Sequence, residues 1–116
     1  MAEDPIDRVF ARSDPAVRAL AAQLVERVAS EAGVRVEPKQ GSIHLCRKSA
    51  FAGLHPRRQA VLLNLRTRDP IDSERIRKVE RVSANRFHNE LLLESADDLD
   101  AELFGWIHGA AALAEA

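Results

Sequence analysis

Apolar residues recur at spacings of three and four in two stretches and alternate with polar ones in several others, which divides the chain into helix and strand. Between Asp14 and Gly33, one stripe holds Val17, Leu20, Ala21, Leu24, Val28 and Ala29, while Arg18, Gln23, Glu26 and Arg27 look outward. Asp14-Pro15 opens this helix, because proline at the first helical position gives up an N–H that would lack a partner anyway. Gly33 suits a left-handed stop. Asp4-Pro5 repeats the device ahead of a short helix through Val9 and Phe10. The second stripe, Leu99, Leu103, Trp106, Ile107, Ala110 and Ala114, predicts a C-terminal helix with Leu103 and Trp106 in the core. Its start is read at Ser95, with Asp98 three residues on to complete a capping box, and with Asp97 and Asp100 favoured by the positive helix end.

The strands read by alternation. Val34 to Glu37 alternates and Pro38 closes it. Ser42 to Lys48 sends Ile43 and Leu45 one way and His44 and Cys46 the other. Gln59 to Arg66 sets Val61, Leu63 and Leu65 against Leu62, Asn64 and Arg66, and the last strand runs from Phe87 through Leu91, Leu92 and Leu93. Residues 49–58 read as a connection anchored by Phe51 and Leu54 around Gly53 and His55-Pro56. Residues 72–83 carry two signals: Ile76, Val79 and Val82 suit a short helix, whereas Ser83-Ala84-Asn85 suits a hairpin. The reading adopted is one helical turn and then a strand. The order of elements predicts an α+β domain with a single antiparallel or mixed sheet of about four to five strands and the N- and C-terminal helices packed on one face. One domain spans 1–116, with 1–13 as an N-terminal extension holding a short helix.

Composition adds bounds. The single cysteine, Cys46, excludes an internal disulfide and points to a reducing cytoplasm. The acidic start MAEDPIDRVF is no signal peptide, and no stretch approaches the roughly 20 apolar residues that span a bilayer. The net charge of −1 hides an asymmetry. Residues 33–86 carry thirteen Lys/Arg against five Asp/Glu, whereas residues 87–116 carry seven acids and no Lys or Arg. The acids sit where a helix dipole favours them; the bases have no such local reason, and a loosely spread basic surface is more often solvated than bound to nucleic acid. Nucleic-acid binding through the middle segment requires Arg57, Arg58, Arg75, Arg77, Lys78 and Arg81 on one face.

The alternation places His44, Cys46, Leu62, Asn64, Arg66, His88, Glu90 and Leu92 together on the second sheet face. Of these, His88, Arg66, His44, Asn64, Cys46 and Glu90 are the candidate ligand-binding residues, with Arg66 supplying a fork of donors to a small polar or anionic ligand. The same face also suits a protein partner, or contact between two copies through Leu62 and Leu92, so the chain is read as a monomer or homodimer. A metal site would need His44-x-Cys46 and His88-x-Glu90 on neighbouring strands, and no CxxC or HExxH is present. A small enzyme using Cys46 with His44 or His88 is the alternative of a different class, yet nothing local lowers the thiol pKa. No nucleophile elbow and no glycine-rich phosphate cradle occur, so no catalytic residue, cofactor or metal is assigned. His55, beside Pro56, does not stand out.

The segment RIRKVERVSANRFHNELLLESADDLDAELFGWIHGAA, together with Val9-Phe10 and Phe51-Ala52, resembles a small bacterial family known as a domain of unknown function, found also as the tail of larger proteins labelled predicted transport proteins. The resemblance implies a compact α+β fold, with His88 and Asp100 at that family's polar positions. It implies no activity. The sequence reading is therefore a cytoplasmic, non-enzymatic binding or accessory module.

Overall fold

A computed structural model describes residues 4–115. The first three residues of the predicted N-terminal extension lie outside that range. Two helices lead, α1 (Pro5–Val9) and α2 (Pro15–Ala29), six strands follow, and α3 (Ala101–Glu115) closes the chain. The strands are β1 (Arg35–Pro38), β2 (Ile43–Cys46), β3 (Ala50–Pro56), β4 (Val61–Thr67), β5 (Lys78–Ser83) and β6 (Arg86–Leu93). They form one antiparallel sheet in the order β1-β2-β3-β4-β6-β5.

Six strands replace the predicted four to five, and the additional one is β3, the stretch read as a connection. Its glycine and its His-Pro end look like loop punctuation in one dimension. In the sheet, Gly53 is buried between His44 and Asn64, and Pro56 ends the strand where ladder pairing stops. A bulge against Leu45 and Cys46 adds one residue to β3, so the adjacent Phe51 and Ala52 both enter the core and the period of two is hidden. The segment before β5 forms a turn closed by Ile76 N–H to Ser73 O, not a helical turn. Every residue of β5 is exposed, which suits an edge strand guarded by charge.

All three helices cover the same face. α3 packs on β3 and β4, α2 on β1 and β4, and α1 on β1 and β2. The register aligns Ile43, Leu54, Leu63 and Leu91 in one row, and Leu45, Ala52, Leu65 and Asn89 in the next. All eight are buried. Val9 and Phe10, from the stretch read as an extension, belong to this core, and Phe10 is fully enclosed.

The C-terminal helix starts later than predicted. Ala96–Asp98 makes a short 3-10 turn in which the Asp98 carboxylate accepts from Glu94 N–H at 2.8 Å and Ser95 N–H at 3.3 Å. Leu99 then leaves helical geometry at φ −87°, ψ 70°. Asp100 opens α3 instead, its Oδ1 accepting from Leu103 N–H at 2.9 Å. This offset carries Phe104 into the core beside Leu103 and Ile107, and Trp106, predicted to be core, is only partly buried.

Candidate functional site

The uncovered face is organised by register. One row crosses the whole sheet as Glu37, His44, Gly53, Asn64, Glu90 and Lys78. The next holds His55, Leu62 and Leu92, and the third holds Arg66, His88 and Glu80. Alternation puts Cys46 on this face beside Glu37. The six residues singled out from sequence thus share one sheet face, but they do not converge on one point. His44 and Cys46 stand on β2, and His88 and Glu90 on β6, with β3 and β4 between them. Three strand spacings separate the pairs by about 14 Å, too far for the four-ligand zinc arrangement. Among the described residues, no group of three His, Cys, Asp or Glu is placed to hold a metal ion.

His55 joins the face although sequence reasoning passed it over, because its strand was read as a loop. Its ring folds over Gly53: a Cβ built there would lie 3.2 Å from His55 Nε2 and 3.7 Å from His44 Cδ2. Glycine at this position lets the two imidazoles approach each other. Next along the row, the Asn64 Oδ1 acceptor is buried and has no hydrogen-bond partner. All three imidazoles on the face titrate below their ordinary value. Burial is the first cause for each, followed by Arg66 for His44 and His88 and by Arg57 for His55. Cys46 is pushed the other way, up, by burial and then by Glu37, which opposes thiolate chemistry.

Arg66 and His88 meet at one end of the sheet, where the β3 start, the β4 end and the β5–β6 hairpin approach the C-terminal half of α3. A cavity of about 360 Å³ opens there. Ser49, Arg66, Arg86 and His88 supply its polar side; Phe51, Val82, Ala110, Leu113 and Ala114 supply an apolar wall. Arg66 Nη1 donates to Ala50 O at 3.2 Å, which anchors the guanidinium at the rim. No carboxylate lines this cavity.

The family model described as Domain of unknown function (DUF5655) matches residues 6–113. The chain belongs to that family. No curated protein and no solved structure matches the chain. In this DUF5655 domain the match runs from α1 through nearly all of α3, so it takes in the whole uncovered face and every residue of the cavity lining except Ala114. Its two expected polar positions have different surroundings. His88 lines the cavity, whereas Asp100 caps α3 and accepts from Arg75 Nη1 through both carboxylate oxygens, at 3.0 and 3.1 Å.

The basic middle segment is divided by the fold. Arg75 is tied to Asp100, Glu102 and the Asp98 carbonyl; Arg57 and Arg58 occupy the β3–β4 hairpin; Arg77, Lys78 and Arg81 lie at or beside the β5 edge. Of the charges the nucleic-acid reading requires, Arg75 is therefore already used in holding the fold together. No helix among the described residues is long and apolar enough to cross a membrane.

Proposed function

We propose that this domain is a binding module for a small amphipathic organic anion, held where the uncovered sheet face meets α3. The observation that carries this reading is the lining of the cavity: two arginines and a histidine face an apolar wall, with no acidic group among them. A carboxylate would lie against the fork of Arg66, while a short hydrocarbon body would cover Leu113 and Val82. The cavity volume lies in the range of small-ligand sites. No step of bond making is assigned. Cys46 is held as a thiol and lies outside the cavity lining.

The test is an NMR titration of the whole domain with hexanoate, acetate and hexylamine. Hexanoate should shift the amides of Ala50, Phe51, His88 and Ala110 saturably, acetate should do so weakly, and hexylamine should not. Arg66→Gln should weaken hexanoate binding by roughly tenfold, the scale of one charge-assisted hydrogen bond. Equal response to hexanoate and hexylamine would overturn the reading.

A further inference from the structure

At the opposite end of the sheet, the α1–α2 turn faces the β3–β4 hairpin across a cleft of about 480 Å³. Four arginines line it: Arg8 and Arg12 from the first segment, Arg57 and Arg58 from the second. The floor is apolar, built by Val9, Ala11 and Pro56, and no acidic side chain is among the lining residues.

This convergence is built. Ser13 Oγ donates to Arg57 O at 2.6 Å, and Asp14 N–H donates to Arg58 O at 2.8 Å, so the helix turn fixes the hairpin backbone. Arg57 N–H closes the hairpin onto Ala60 O at 3.0 Å. Arg8 is oriented by donating to Lys39 O at 2.7 Å and Gln40 O at 3.1 Å. The nearby acids of α1 are engaged elsewhere: Asp4 accepts from Ile6 N–H, and Asp7 stands 4.0 Å from Arg18. Among the described residues, Arg12, Arg57 and Arg58 form no ion pair. Four like charges around one cleft repel one another, and an anion seated between them removes that repulsion.

We propose that this cleft is a second anion site, and that it takes the phosphoryl group of a small molecule. One carboxylate is satisfied by a single guanidinium fork. A phosphoryl dianion spreads two charges over three oxygens and uses two or more forks, which Arg12, Arg57 and Arg58 supply, while Arg8, held by the Lys39 and Gln40 carbonyls, adds its charge. The lining has no aromatic ring on which a base could stack, so the cleft fits a compact phosphate better than a nucleic-acid strand. The proposal stands on residues apart from those of the cavity at Arg66 and His88.

Calorimetric titration of the whole domain with sodium pyrophosphate at about 0.15 M salt tests it. One-site, saturable binding is expected. It should weaken roughly tenfold or more in Arg12→Gln/Arg58→Gln and be unchanged in Arg66→Gln. The substituted arginines are exposed, and circular dichroism checks the fold; Arg58→Gln alone serves if the double variant is impaired. Amide shifts at Ala11 and Ser13 should accompany binding. Absence of saturable heat, or equal affinity in the double variant, would overturn the proposal. So would tighter binding of a single-stranded oligonucleotide with a steep salt dependence, since that result would make the cleft part of a nucleic-acid surface.

Discussion

Asn89 stands in register with Leu65 on the helix-covered face, and its side chain is completely enclosed. Its Oδ1 accepts from Ile71 N–H at 2.9 Å, and its Nδ2 donates to Leu65 O at 3.1 Å and to Thr67 Oγ1 at 2.7 Å. The amide thereby closes the end of β4 and ties down the segment that crosses towards β5. Asn89→Ala should destabilise the domain by about 2–4 kcal/mol in urea unfolding, because backbone groups at Ile71 and Leu65 lose their partner in a dry site. A loss below about 0.5 kcal/mol would mean that water replaces the amide. The alternation Phe87, Asn89, Leu91, Leu93 shows in the sequence which face Asn89 takes. Its importance does not show, because its three partners come from a different stretch of chain. His55 was hidden for a related reason: its place is set by ladder pairing with Leu62, and its local sequence resembles a loop. His88→Ala should leave the fold intact, since the ring is only partly buried, and should weaken hexanoate binding. Unfolding of that variant would instead make His88 a structural residue.

At the scale of elements, α3 is held by two different means. Leu103, Phe104, Ile107, Ala110, Ala111 and Ala114 are buried in the core, so Leu103→Ala should cost about 2–5 kcal/mol in the same urea assay, with the high end if the site stays open. Its N-terminus is held by Arg75, which reaches Asp100, Glu102 at 3.2 Å and the Asp98 carbonyl at 2.9 Å, and whose guanidinium lies 5.5 Å from the Trp106 ring. Arg75→Ala should lower stability by about 1–2 kcal/mol, and Arg75→Lys should not restore it, because a point charge cannot bridge three acceptors in one plane. Full rescue by lysine would reduce the cluster to simple charge pairing. The helix period and its flanking acids are legible in the sequence. Its start is not, because Ser95 heads the 3-10 turn and Asp100 heads α3, and Asp100 is engaged by Arg75, distant in sequence. Helices and edge-to-centre alternation carried most of the fold in the same way, and β3 escaped because a bulge and a buried glycine break the pattern that identifies a strand.

For the molecule as a whole, two charge-segregated parts of the sequence meet only in part. Arg75 neutralises the start of α3, and Arg47 reaches Glu115 at 2.6 Å, while Arg66 and Arg86 at one end and four arginines at the other lack acidic neighbours in their clefts. That residual positive field is one reason the uncovered-face histidines resist protonation; burial is the first. Both states hold neutral imidazole above the ordinary value of 6.5, so stability there is complete. As pH falls through that value, the unfolded chain takes up protons before the folded one does, and stability is lost. Urea midpoints should therefore drop between about pH 7.5 and about pH 5.5, without ligand. A bound carboxylate reverses the sign at one position. Beside His88 it favours the protonated ring, adding to Glu80 and Glu90 and opposing Arg66, so hexanoate affinity should rise as pH falls over the same interval. His88→Gln should flatten the pH dependence of hexanoate affinity and leave the part of the ligand-free decline that belongs to His44 and His55. Affinity independent of pH in the unmodified domain would place the anion away from His88.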